Sequence, residues 1–184
     1  MLYTGKGDNG TTKMFDSAPG KRQSKSSCQT ESLGALDELN SFLGIVKVKS
    51  AGLEWKQNGR NMSDIIDWAQ NCLFIIQAEV AGAGKTIVEE RVKEVESIVD
   101  AIEKEMPPIT TFFISGGTEL AALLDVSRTL ARKAERRVIG GMESGEVKVS
   151  PTTLAFLNRL SSLFYALARL TNHLSGIKEE KPRY

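Results

Sequence analysis

An unbroken helical run, GGTELAALLDVSRTLARKAERRV from Gly116 to Val138, constrains this chain more than any other stretch. Two glycines and Thr118 open it as a helix N-terminus, and about six turns follow without Pro or Gly. Leu120, Leu123, Leu124, Ser127, Leu130, Ala131, Ala134 and Val138 recur at helical spacing and form an apolar stripe. Arg128, Arg132 and Glu135 border that stripe at i, i+4 and i+7 and point the same way. Such a row is either a solvated basic edge with intrahelical ion pairs or a grip for a polyanion and a sugar. The helix alone leaves both open.

Four further helices are predicted. One runs from about Gln29 to Lys49 on Leu33, Leu36, Asn40, Leu43 and Val46 to Val48. Gly34 and Gly44 inside it cost about 1 kcal/mol each against Ala, which makes sense if something approaches the backbone there. After a polar loop, AGLEWKQNGRN (Ala51 to Asn61), Ser63 or Asp64 is expected to cap a second helix through Ile65, Ile66, Ala69, Leu73, Ile76 and Val80. A third spans Val88 to Met106 and stops at Pro107-Pro108. Beyond the central run, GGMESGE reads as a loop, and Ser150-Pro151 opens a last helix to about Leu174. In the connection ITTFFISGG, Phe112, Phe113 and Ile114 are a short buried extended piece or an apolar wall facing a ligand.

Composition narrows the function classes. Lys+Arg 24 against Asp+Glu 23 gives a net charge of +1, which offers no electrostatic case for nucleic acid or a membrane surface. Cys28, Cys72 and the single His173 make neither a disulfide framework nor a Cys/His metal site. His173 is expected at the surface or in a cap. With no signal-peptide pattern and no apolar run of about 18 residues, a cytoplasmic protein is the expectation.

The first 27 residues differ from the rest. TGKGDNGTT, from Thr4 to Thr12, holds three glycines in nine positions. Glycine permits positive φ, so successive N–H groups can converge on an anion, with Lys6 and Lys13 adding charge and Asp8 serving a bound Mg2+. Tyr3 and Met14-Phe15 bracket this loop and are expected to pin it. Lys21, Arg22 and Lys25 in SAPGKRQSKSS reach a phosphate or meet solvent. AGAGKT, residues 81 to 86, is not a P-loop: Glu79 stands where the motif needs Gly, and helix precedes it rather than strand. The expected fold is all-α, a five-helix antiparallel bundle with an ordered Gly-rich N-terminal loop. It is one domain over residues 1–184: a loop region 1–27, the bundle 28–177 and a polar tail 178–184.

YTGKGDNGTTKMF, Lys25, ESLGALDELNSFLG, FFISGGTELAALLDVSRTLARKAERRV and LNRLSSLFYALAR together resemble, in order, the signatures of the PduO-type ATP:corrinoid adenosyltransferases. The resemblance spans nearly the whole chain. It implies a homotrimer with ATP and corrinoid held at subunit interfaces. The implied reaction moves the 5′-deoxyadenosyl group of ATP to the cobalt of cob(I)alamin, making adenosylcobalamin and releasing triphosphate. It implies an ATP site of Thr4, Gly5, Lys6, Gly7, Asp8, Thr12, Lys13 and Lys25, with Arg132, Lys133, Ala134, Glu135 and Arg136 of the central helix and Asn158 of the last. Asn158 would also meet Mg2+ through the ATP phosphates. Arg128 and Asp37 match a salt bridge across the interface, and Phe112 matches the aromatic that keeps the lower ligand off cobalt. A corrinoid reductase and an adenosylcobalamin-dependent enzyme are the implied partners. Ser115, Asp125 and Ser162 stand where Pro, His and Asp are commoner, which bears on the corrinoid side.

The residue inventory suits that chemistry. Cob(I) is itself a strong nucleophile, so no Ser, Cys or His of the protein's own is needed. Alignment of C5′ and neutralisation of departing triphosphate are, and Arg132, Lys25 and Lys6 can supply the latter. The alternative from another class is a non-catalytic bundle that binds or delivers ATP or adenosylcobalamin. A small-molecule kinase would need a true P-loop and an acceptor-activating base, neither of which is evident.

Overall fold

The computed structural model describes residues 2–15 and 17–184, and its long elements are the five expected helices. These are α1 (Cys28–Ser50), α2 (Met62–Val80), α3 (Glu89–Glu105), α4 (Glu119–Glu143) and α5 (Pro151–Leu174). Helix α4 packs on α1 and α5, α1 also carries α2, and α5 carries α3. Leu36, Leu39, Leu43, Ile65, Ile66, Leu73, Ile76, Leu124, Ala131, Ala134, Val138, Phe156, Leu160 and Phe164 are fully buried between them. These are the 3.6-period positions, so the hydrophobic stripe of each helix has become the core. Trp68 of α2 meets Phe156 of α5 edge to face at 5.6 Å, which joins α2 to α5 across the core.

Side-chain caps start four of the helices. Ser27, Asn61, Thr118 and Ser150 each accept a hydrogen bond from a first-turn amide, satisfying a donor that the helix cannot. The cap of α2 is Asn61, in a reciprocal box with Asp64, and not Ser63 or Asp64 as expected. Its position follows from a hairpin in the stretch predicted to be plain loop. Strands β3 (Lys56–Gln57) and β4 (Arg60–Asn61) pair across Asn58 and Gly59, whose φ of 51° and 80° suit a tight turn.

Two further expectations need correction. Helix α4 does not stop near Val138 but runs through Gly140 and Gly141 to Glu143. A Cβ on Gly141 would meet Val147 Cγ2 at 2.6 Å and Ser32 Oγ at 3.1 Å, so the glycine is kept for the close approach of Val147 and, behind it, of α1, not for a turn. By contrast, among the described residues no side chain or distant backbone lies within 4 Å of a Cβ placed on Gly34 or Gly44, so the backbone there stays open to an approach from outside the chain. The segment 178–184 is polar but folds back: Glu180 O accepts from the Ile114 amide at 2.8 Å. Among the described residues no helix is long and apolar enough to cross a membrane.

Candidate functional site

The glycine-rich terminus is a built hairpin. Strands β1 (Thr11–Thr12) and β2 (Gln23–Ser24) pair antiparallel, and the Lys25 amide donates to Gly10 O at 2.9 Å. Arg22 reaches across to Thr11, its Nε to Oγ1 at 2.7 Å and its Nη2 to the carbonyl at 2.8 Å. Arg22 is thus spent on the hairpin. Gly5 and Gly10 take positive φ (66° and 77°), and a Cβ on Gly7 would sit 3.1 Å from Lys25 Nζ. Thr4, Lys6, Asp8, Lys13 and Lys25 stay exposed. Of the bracketing side chains only Met14 is buried; Tyr3 and Phe15 face outward, so a single methionine pins the strap.

Beneath the strap lies a cavity of about 720 Å³ between α1 and α4. Thr12, Met14 and Lys25 line it from the strap, Gly34, Asp37 and Glu38 from α1, and Lys133 and Arg137 from α4. Its α4 cations are engaged already: Lys133 Nζ meets Glu38 Oε2 at 2.6 Å, and Arg137 Nη2 lies 3.6 Å from Glu31 Oε2. These are half-exposed pairs worth no more than about 1 kcal/mol, which an incoming polyphosphate can displace.

A second cavity, of about 580 Å³, opens on the other flank of α4. Its apolar side is Ile109, Phe112, Phe113 and Ile114, and Phe112 is 77% exposed, so the segment is a wall and not buried core. Facing it are Arg128 and Arg132 of α4 and Ser161, Ser162, Tyr165 and Arg169 of α5. Arg169 is only 6% exposed and grips Glu179 of the tail through two nitrogens, Nε to Oε1 and Nη2 to Oε2, both at 2.9 Å. The same guanidinium donates to Pro107 O at 3.3 Å and lies 5.2 Å from the Phe113 ring centre. One ion pair thereby fastens both ends of the wall. The Glu179 hydrogen bond holds the Arg169 pKa above its usual value against opposing burial, and burial holds the Tyr165 phenol above its own.

The glycine pair before α4 is fixed by Asn172. Its Nδ2 donates to Gly116 O at 2.8 Å and its Oδ1 accepts from the Thr118 amide at 3.0 Å. Gly117, at φ 101°, lies where any Cβ would run into that amide group. Sequence reading missed Asn172, Arg169 and Glu179. An arginine inside the apolar run ALARL and an acidic tail were the available signals, but only the fold joins them.

One chain does not gather all the predicted residues. Successive helical residues turn about 100°, so Arg128 and Arg132 face the second cavity while Lys133 and Arg137 face the first. Ala134 is fully buried in the core, between the exposed Arg132 and Arg136. Glu135 Oε1 accepts from Asn158 Nδ2 at 3.0 Å, linking α4 to α5. Asp37 lines the first cavity, whereas Arg128 Nε approaches Asp125 Oδ1 at 3.5 Å; the two do not meet within the chain. Asn158 Oδ1 in turn accepts from Arg159 Nη1 at 3.1 Å, so both ends of its amide are engaged within the chain. The described residues contain no cluster of three His, Cys, Asp or Glu able to hold a metal.

Comparison with known proteins agrees with this geometry. Residues 2–171 match the family model described as cobalamin adenosyltransferase. The chain is 37% identical over 180 residues to a corrinoid adenosyltransferase of Bacillus subtilis, covering 96% of this chain and 89% of that one. It is 34% identical to the corrinoid adenosyltransferase PduO of Citrobacter freundii, covering 94% of this chain but 50% of that longer protein. Among solved structures, a variant PduO-type ATP:corrinoid adenosyltransferase from Lactobacillus reuteri, complexed with cobalamin and ATP, superposes with a TM-score of 0.86 at 27% identity. That likeness covers 100% of this chain and 97% of the other.

Proposed function

The chain belongs to the cobalamin adenosyltransferase family, and from that membership we propose that it transfers the 5′-deoxyadenosyl group of ATP to the cobalt of a reduced corrinoid. The cobalt(I) lone pair attacks the ribose C5′, a Co–C bond forms, the C5′–O bond breaks, and triphosphate leaves with those electrons. The observation that carries this reading is the pair of cavities flanking α4, one under a glycine strap with Lys25 and one walled by exposed Phe112 beside Arg128 and Arg132.

The protein's part is binding, alignment and charge. Thr4, Gly5, Lys6, Gly7, Asp8, Thr12, Lys13 and Lys25 hold the nucleotide from the strap, and Arg132 neutralises the departing triphosphate. Lys133, Glu135, Arg136 and Asn158 border the same nucleotide. Mg2+ enters as the counter-ion of ATP rather than in a protein cage. Phe112 shields the lower face of the corrin, so a lower ligand and water stay off the metal. Alignment of C5′ and cobalt can be worth about 7–11 kcal/mol.

The working unit is a homotrimer. What supports this is that the strap and Arg132 lie on opposite flanks of α4, so one copy's strap meets the neighbour's Arg128 and Arg132. Asp37 then pairs with Arg128 of the neighbouring copy. The enzyme works in the cytoplasm, between a reductase that supplies cobalt(I) and an adenosylcobalamin-dependent enzyme that takes the product.

Anaerobic incubation with ATP, Mg2+ and reduced cobalamin tests the reaction. Loss of the cob(I) absorption with stoichiometric triphosphate is expected. Binding of ATP or adenosylcobalamin without triphosphate release would establish the carrier instead.

A further inference from the structure

We propose that Asp125 is the positioning residue that joins the Phe112 wall to Arg128. Its two oxygens are divided between them: Oδ2 accepts from the Gly116 amide at 3.1 Å, and Oδ1 faces Arg128 Nε at 3.5 Å. The Asp125 side chain is only 13% exposed, so neither partner is easily replaced by water. Gly116 lies four residues after Phe112, and its φ of 127° is a conformation that side chains rarely adopt. A carboxylate holding that amide fixes the end of the wall nearest to α4. The rest of the wall is held by Arg169, which donates to Pro107 O, and by the Glu180 carbonyl, which accepts from the Ile114 amide.

Arg128 has two possible carboxylates. Asp125 lies one turn back on its own helix, and Asp37 belongs to the neighbouring copy in the proposed trimer. The on-helix pair is long and 30% exposed on the arginine side, so it can yield to a shorter bond. Asp125 thus parks Arg128 in the isolated chain and releases it when the neighbour docks. It keeps the Gly116 amide throughout. The wall and the subunit contact therefore share one residue, which holds the Gly116 end of the Phe112 wall whichever carboxylate Arg128 takes. This inference rests on the proposed reaction and deepens its corrinoid side.

The test compares Asp125→Asn with Asp125→Ala. Asn keeps an oxygen for the Gly116 amide; Ala keeps nothing. Hydrogen exchange of residues 107–117 is read first, because it needs no activity. Ala is expected to speed exchange at Gly116 and its neighbours about tenfold or more, and Asn to restore most of the protection. Adenosyl transfer is then read on cobalamin, which has a lower base, and on cobinamide, which lacks one. Ala is expected to lower the cobalamin-to-cobinamide ratio about fivefold or more, with ATP affinity unchanged and the ratio rescued by Asn. Unchanged exchange in Ala, or equal loss on both corrinoids, overturns the proposal. If neither variant nor wild type transfers adenosyl while exchange behaves as expected, the coupling stands and the assigned reaction falls. Denaturation midpoints of both variants identify any loss that comes from unfolding alone, and a ratio change that merely follows that loss also overturns the proposal.

Discussion

The two flanks of α4 are built from opposite materials. On the strap side the cavity is made by backbone turns, a short hairpin, and half-exposed ion pairs such as Lys133–Glu38. On the other side an apolar wall is fastened by Arg169, which is nearly buried and gripped by a carboxylate ten residues on. The first flank is open and half-exposed, and its ion pairs can exchange for a ligand's charge. The second is preformed. A site divided this way can admit a flexible polyanion on one side while holding a large flat ligand rigidly on the other.

The sharpest way to break this comparison is Arg132→Ala. Arg132 is the exposed cation on the preformed side, expected to serve the polyanion bound by a neighbour's strap. Its removal should lower adenosyl transfer by about a hundredfold or more, by analogy with loss of other charge-stabilising donors. Sedimentation should show an unchanged oligomer. Near-normal turnover would remove the phosphate role and leave the two flanks chemically unrelated.

Glu179→Ala tests whether the wall is fastened as described. It strips the partner from a guanidinium that has little access to water, which should cost about 3 kcal/mol in urea denaturation. Glu179→Gln, which keeps a hydrogen-bond acceptor, should cost less. Corrinoid affinity should fall while ATP affinity holds. A parallel fall in both would mean that the flanks are not independent.

Cys72, in α2, belongs to neither flank and sharpens the comparison as an internal standard. Burial raises its thiol pKa from 9.0 to about 11, with Arg91 opposing the rise. An unfolded thiol ionises first as pH climbs, so the contribution to stability is present below pH 9 and lost between about 9 and 11. The size follows from two pKa units, about 2–3 kcal/mol. Cys72→Ala should flatten that alkaline limb in stability measurements, and the loss should leave the ratio of ATP to corrinoid affinity untouched.

Much of the strap flank was readable from residue order. Its chemistry is local: glycines, threonines and lysines within one stretch, needing only a turn to converge. The helices were readable too, because Leu36, Leu39 and Leu43 or Leu120, Leu124 and Ala131 carry their period openly. What stayed hidden depends on contacts distant in sequence. Arg169 reads as a break in an apolar face until Glu179 and Pro107 close on it, and Asn172 reads as a helix end until the glycine pair packs on it. Gly141 misled for the same reason, since the close approach of Val147 that rewards a helical glycine is invisible in the run itself. Phe112 sat between: its type was legible, but its exposure was not.

That exposure makes Phe112→Ala the finest probe of the comparison. A side chain 77% exposed contributes little to the core, so its truncation should shift the denaturation midpoint hardly at all. Its effect should instead be confined to the ligand that the wall faces. Transfer to cobalamin should fall about tenfold relative to transfer to cobinamide, a difference of about 1.4 kcal/mol in transition-state binding. The logic is that only cobalamin carries a lower base for the ring to exclude. An equal fall on both corrinoids would assign Phe112 to general contact with the macrocycle. A fall accompanied by lost stability would make the wall ordinary core after all, and the contrast between an open flank and a preformed one would then rest on Arg169 and Glu179 alone.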